Sequence, residues 1–130
     1  MPHGEAGVVA IFIKKMLEGS RPVIFGGGRC IRDYVYAGDA AEANVKALTR
    51  GRNSAFNIGT GIKTDVNRLY SVICGVTGYD RPALKAPFRQ GDLAANYLNI
   101  KKAAEELGWK PKTGLKQGIE ETYLFFKSKK

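Results

Sequence analysis

The sequence predicts an α/β fold, a small mixed arrangement of helices and short strands. Three observations carry that prediction. Stretches with apolar residues at helical spacing alternate with short runs of β-prone residues. Glycines punctuate the boundaries, at Gly19, Gly51, Gly59, Gly61 and Gly108. The strands are too few and too scattered to complete a parallel sheet among themselves. Residues 55–58 in particular have no obvious parallel neighbour, which points to a sheet partly supplied from elsewhere.

Residues 5–17 predict the first helix. Val9, Phe12, Ile13, Met16 and Leu17 repeat at helical spacing, and Gly19 stops it. Val23–Phe25 reads as a short strand. Three glycines follow at 26–28 and read as a tight connection, because glycine accepts φ > 0 without penalty. Residues 32–37 read as a second strand, since Val35 and Tyr36 are β-prone. Arg32 and Tyr34 then share one face of a stiff strand beside a reversal. A fixed guanidinium next to an aromatic ring suits a phosphate that carries a flat base or a sugar. The plainer alternative is a hairpin whose Arg32 is solvated or paired with Asp33.

Residues 39–48 predict a helix of small residues, with Asp39 at its start and Ala41, Val45 and Leu48 on one face. Residues 55–58 read as a strand and 59–61 as a turn. Thr64 then caps a helix in which Val66, Leu69, Tyr70, Ile73 and Cys74 form an apolar stripe, so Cys74 is a packing residue. The order strand, Gly-x-Gly, helix resembles a dinucleotide fingerprint. However, Thr64 stands where a third glycine belongs, and no acidic residue follows a further strand at the right distance. The turn therefore reads as structural.

Residues 82–87 are expected to be extended, since Pro82 and Pro87 bar both helix and central strand. Arg89-Gln-Gly-Asp92 reads as a turn and residues 94–99 as a short strand. Ile100, Ala103, Ala104 and Leu107 make a short helix ended by Gly108, and the Trp109 indole is expected to pack inward. Leu115, Ile119, Thr122, Tyr123 and Phe126 define the last helix.

Composition removes several function classes. The chain has 130 residues, 44% of them apolar, enough for one domain with a real core. No apolar run approaches the ~20 residues that a membrane helix needs. The first residues lack the pattern of a secretory signal, so a cytoplasmic location is expected. Cys30 and Cys74 lack metal-ligand spacing, and His3 is the sole histidine. A Cys/His metal site and a Ser-His-Asp triad are thus not expected, and the two thiols are expected to be free. The net charge of +9 asks for an explanation: nucleic acid, an anionic small molecule, or a basic surface with no role. The basic residues are spread along the chain, dense only at Lys127, Lys129 and Lys130, with neither an RNA-binding sheet signature nor a helix-turn-helix. A small anionic molecule fits better than nucleic acid.

Six segments together resemble one family. They are Glu-Ala-Gly-Val-Val-Ala-Ile-Phe (5–12), Val-Ile-Phe-Gly (23–26), Arg-Asp-Tyr-Val-Tyr (32–36), Phe-Asn-Ile-Gly-Thr-Gly (56–61), Arg-Gln-Gly-Asp (89–92) and Leu-Gly-Trp-Lys-Pro (107–111). In this order they resemble the C-terminal part of extended short-chain dehydrogenase/reductases, the NAD-dependent epimerase/dehydratase family. They are most similar to the UDP-glucose 4-epimerases. The resemblance covers essentially the whole chain.

It implies a single C-terminal, nucleotide-sugar-binding domain over residues 1–130, part of a fold whose N-terminal Rossmann core is missing here. That core binds NAD in the family and carries the Ser/Thr and Tyr-x-x-x-Lys chemistry. By resemblance, Arg32 and Arg89 would clamp the pyrophosphate of a UDP-sugar, each guanidinium offering bidentate hydrogen bonds. Tyr34 would support the phosphate or ribose, and Asp92 would accept a ribose hydroxyl. The backbone at Val23 and Phe25 would meet the uracil edge, and Val66 would contact the nucleotide. Simple pairing of Arg89 with Asp92 across their turn is the bland alternative.

This chain alone is expected to bind no cofactor and to be inactive. Tyr97…Lys101 and Tyr123…Lys127 match Tyr-x-x-x-Lys by chance, away from the family's position. Gly27, Gly38 and Asn99 depart from residues common in the family. The implied partners are a UDP-sugar and a Rossmann half, missing or separate, and the full-length family is often homodimeric. Other dehydratases, decarboxylases or epimerases of nucleotide sugars, and a non-catalytic binding module, remain alternatives.

Overall fold

Helix α1 (Val8–Leu17) buries Phe12, Ile13 and Met16, the face expected from the apolar spacing. The computed structural model describes residues 7–129; the first two residues of the expected helix, His3 and Lys130 lie outside them. Strand β1 (Val23–Phe25) follows, then a turn at Gly26–Gly28 with φ values of 60°, 73° and 70°. Three successive left-handed residues are open to glycine and closed to almost any other side chain. Strand β2 (Ile31–Arg32) leads into α2 (Ala37–Ala47). Strand β3 (Thr64–Asp65) runs straight into α3 (Val66–Thr77). Strand β4 (Leu84–Ala86), a π-type turn (Ala103–Leu107) and α4 (Leu115–Ser128) complete the order.

The main core lies where α1, α3 and α4 pack over β1. Phe12, Ile13, Met16, Ile24, Leu69, Ile73 and Ile119 are its buried residues, with Val66, Tyr70 and Cys74 at its fringe. The expected stripe of α3 therefore faces inward, and Cys74 is a packing residue. The Phe12 and Tyr70 rings meet edge to face at 5.7 Å.

A second cluster gathers Ala43 of α2 with Ala103, Leu107 and Trp109. Trp109 is fully buried, and its indole N–H donates to the Asp39 carbonyl at 2.8 Å. The buried Asp39 carboxylate accepts the N–H groups of Lys112 (3.0 Å) and Thr113 (2.8 Å) and the Thr113 hydroxyl (3.2 Å). So Asp39 does not open its own helix, as expected from sequence. It sits in the first turn of α2 and ties that turn to the loop before α4.

Two small sheets frame the site. β1 and β4 pair in parallel, Val23 opposite Leu84 and Phe25 opposite Ala86. β2 and β3 pair antiparallel, Ile31 opposite Asp65 and Arg32 opposite Thr64.

Several expected elements differ. The strand expected over 32–37 is regular only at Ile31–Arg32, because from Asp33 onward a side chain takes over the pairing. The strand expected at 55–58 does not form. Among the described residues no neighbour pairs with it, and Phe56 and Ile58 hold it through the second cluster instead. Residues 94–99 contribute a single parallel bridge, Ile31 to Ala95. Conversely, β4 pairs within the stretch where the prolines argued against a central strand. Pro82 and Pro87 lie outside its three residues, and the sheet is only two strands wide. Thr64 pairs with Arg32, and it is Asp65 that caps α3, accepting the Arg68 N–H at 2.7 Å.

Candidate functional site

Two segments run side by side and carry both arginines. The first is β1, the glycine turn and β2; the second is β4 and the residues that follow it. They are joined at one end by the β1–β4 register, Phe25 opposite Ala86. At the other end, the Ile31 N–H donates to the Ala94 carbonyl and the Asn96 N–H to the Ile31 carbonyl, both at 2.9 Å. The loop between, which holds Arg89 and Asp92, must therefore cross the glycine turn. It does so closely: a Cβ on Gly26 would lie 2.8 Å from the Phe88 ring. The turn is pinned from the other side by Asn67, whose amide donates to the Gly27 carbonyl at 2.7 Å.

Arg32 ends β2, half-buried, with Nη1 donating to the Ile31 carbonyl at 2.7 Å. Arg89 lies over the Phe25 ring, its guanidinium carbon 4.5 Å from the centroid, and its Nε meets Asp92 Oδ2 at 3.2 Å. The bland alternative, pairing across the turn, is thus present. Arg89 is 61% exposed at the side chain, so that pair contributes only about 0–1 kcal/mol. Its Nη groups make no hydrogen bond among the described residues.

The other expected site residues are distributed less tightly. Tyr34 packs against the main core, and its hydroxyl is buried with no hydrogen-bond partner among the described residues. Burial pushes its phenol pKa up, against the opposing pull of Arg32. It lines a cavity of about 570 Å³ between α1, residues 34–37 and α4. Val23 and Phe25 have one edge of their strand occupied by β4, and no strand pairs with the other edge among the described residues. Val66 opens α3 but turns toward the main core. The structure therefore brings Phe25, Arg89 and Asp92 into contact and Arg32 onto the adjoining strand. Tyr34 and Val66 are drawn into packing.

Asp33, Asn67 and Phe88 were missed from sequence. Asp33 accepts the Thr60 N–H at 2.8 Å, the Thr60 hydroxyl at 2.5 Å, the Gly61 N–H at 2.8 Å and the Leu98 N–H at 3.3 Å. Burial opposes its charge, but these bonds together win and hold its carboxyl below the usual carboxylate range. No local signal marked it, since the Thr60 and Gly61 N–H groups that need an acceptor lie 27 and 28 residues away. Among the described residues no cluster of His, Cys, Asp or Glu could hold a metal ion, and no helix is long and apolar enough to cross a membrane.

Two arginines thus lie on paired segments, one of them over an aromatic ring. Comparison with known proteins places the chain in a family. The family model for GDP-mannose 4,6 dehydratase matches residues 3–122, and the chain belongs to that epimerase/dehydratase family. It is 44% identical over 130 residues to a UDP-glucose 4-epimerase of Mycolicibacterium smegmatis, covering 98% of this chain and 41% of that protein. It superposes on the Thermotoga maritima UDP-glucose 4-epimerase, solved with UDP-glucose, with a TM-score of 0.94 and 46% identity, over 99% of this chain and 42% of that one. The UDP-N-acetylglucosamine 4-epimerase of Methanobrevibacter ruminantium, solved with UDP-N-acetylmuramic acid, gives a TM-score of 0.92 at 28% identity, over 100% of this chain and 41% of that one. The chain thus spans about two-fifths of the length of these relatives and corresponds to their C-terminal part.

Proposed function

We propose that the chain is the substrate-holding part of a UDP-sugar 4-epimerase of the UDP-glucose/UDP-galactose type, acting as a single unit. The observation that carries this reading is the double pairing of the two segments, which sets Arg32 and Arg89 on either side of the glycine turn. Two guanidiniums share the two charges of a diphosphate, each able to form paired hydrogen bonds. Phe25 supplies a flat surface under Arg89 and a strand edge for the uracil. On binding, Asp92 exchanges its weak pairing with Arg89 for a ribose hydroxyl, which an ionised carboxylate accepts. Tyr34 supports this arrangement from behind, and Val66 through the core beneath it.

The described residues do not fit NAD. The Gly-Thr-Gly turn at 59–61 resembles a dinucleotide loop, but the N–H groups of Thr60 and Gly61 already donate to the Asp33 carboxylate. A negative carboxylate in that position repels a pyrophosphate. The glycine turn at Gly26–Gly28 leads into a strand, not a helix, and the first turn of α3, which lies against it, is already engaged there through the Asn67 amide on the Gly27 carbonyl. Relatives such as the Thermus thermophilus UDP-glucose 4-epimerase were solved with NAD. In this reading a further polypeptide segment holds that cofactor. Its contact surface would include residues 55–58, which no strand pairs, the exposed Val45 of α2 and Leu48 just beyond it.

Calorimetric titration of the chain with UDP tests the proposal. Saturable binding that disappears in the Arg32→Ala, Arg89→Ala double variant is expected. Unchanged binding in that variant, or none by the wild type, overturns it. Mixing the chain with NAD and UDP-galactose should give no UDP-glucose, and appreciable turnover would also contradict the reading.

A further inference from the structure

We propose that Asp33 is a positioning residue for the diphosphate clamp, holding Arg32 in register with the segment that carries Arg89 and Asp92. The inference rests on the nucleotide-sugar reading for its ligand and on geometry for everything else. Asp33 lies between Arg32 and Tyr34, so its side chain leaves the opposite face of the extended chain. On that face its carboxylate joins two separate segments. One is the turn at Thr60 and Gly61; the other is Leu98, at the end of the stretch that descends from Asp92. The approach is close: a Cβ on Gly59 would lie 2.8 Å from Asp33 Oδ2 and 2.9 Å from the Leu98 side chain.

The consequence for Arg32 follows from where the anchors fall. The Arg89–Asn96 stretch is fixed to the first segment by main-chain bonds at Ile31 and, through Leu98, by the carboxylate of Asp33. Arg32 is the one residue between those two anchors. The β1–β4 register and the bonds at Ile31 hold the Arg89 stretch from both ends, and Asp33 adds the attachment on the far side of Arg32. Without it the chain after Ile31 is free to shift, and the Arg32 guanidinium no longer holds a fixed separation from Arg89. Preorganisation of this kind raises affinity by removing the ordering cost at binding. The charge matters as well as the shape. Asp33 accepts bonds from N–H and O–H donors only, and an amide in its place turns an N–H₂ toward one set of donors.

The test uses the full chain with Asp33→Asn, Arg32→Ala and both together. UDP affinity is measured by calorimetry and amide exchange by mass spectrometry. Asp33→Asn should weaken UDP binding about tenfold, the order expected for lost bonds to a charged acceptor. In the Arg32→Ala background it should have almost no further effect, because Asp33 acts through Arg32. A merely structural role predicts the same loss in both backgrounds, and that result overturns the proposal.

Exchange gives an arm that needs no ligand. Faster exchange in Asp33→Asn should extend from Thr60 and Gly61 to Arg32 and the 96–98 stretch; an increase confined to 60–61 overturns the proposal. If the wild type fails to bind UDP, the functional reading falls, while the exchange pattern still decides the positioning role. Should Asp33→Asn not fold, Thr60→Val removes the hydroxyl's bond to Asp33, along with its acceptance of the Ile62 N–H, leaves the main-chain bonds to Asp33 in place and carries the same comparisons at reduced size.

Discussion

Asp39→Ala gives the most demanding test of how the second cluster is held. The buried carboxylate accepts two main-chain N–H groups and one hydroxyl from Lys112 and Thr113. Removing it leaves those donors without an acceptor and opens a small void. A bond to a charged acceptor is worth about 1.5 kcal/mol or more, and because the three share one carboxylate they fall short of additivity and together amount to roughly 3–4 kcal/mol. A domain of this size shifts its melting temperature by about 3–5 °C per kcal/mol, giving a fall of roughly 10–15 °C. Asp39→Asn keeps one acceptor and should lose less. The Trp109 indole bonds to the main-chain carbonyl of residue 39, so tryptophan emission in the folded variants should stay that of a buried ring. Thermal melts followed by circular dichroism read the difference. A shift below about 3 °C for Asp39→Ala would refute the claim that this carboxylate fastens α2 to the loop before α4.

Two further outcomes follow from the same geometry. Gly28→Ala should destabilise by at least ~1–2 kcal/mol, since φ is 70° and the new Cβ would overlap the Asn67 carboxamide; a denaturant midpoint equal to wild type would contradict it. Tyr70 has a phenol pKa pushed up to about 12, by burial first and then by the neighbouring Cys74. An unfolded tyrosine titrates near 10, so the contribution of the neutral phenol is complete below about pH 10 and is lost as pH rises through about 12. Melting temperature should therefore fall more steeply over that window in wild type than in Tyr70→Phe, and parallel curves would refute it.

Helices were legible because their signal is local and repeated. The stripe Leu69, Tyr70, Ile73 and Cys74 and the positions Phe12, Ile13 and Met16 face the main core as their spacing requires. Strands were read less well, because pairing is a long-range property. Residues 55–58 look like a strand in sequence, yet among the described residues they find no neighbour. Leu84–Ala86 look barred by prolines, yet they pair with β1 from outside the proline positions.

At the candidate site the charged pair Arg32 and Arg89 was visible from motif order. The double pairing at Ile31 and Phe25 that brings their segments together was not. Asp33 and Asp39 show why. Both are carboxylates whose partners lie between 27 and 74 residues away, and nothing local distinguishes them from a solvated acid or a helix cap. The Arg89–Asp92 pair, by contrast, was legible as an alternative because one four-residue turn holds both partners.

The central claim is that Arg32 and Arg89 grip one diphosphate together. Nitrogen-15 spectra of the arginine Nε–H groups during titration with UDP test it most directly. Both resonances, identified by the two single alanine variants, should move along one saturable curve with a common midpoint. Movement of only one of them, or shifts confined to other arginines, would contradict the account.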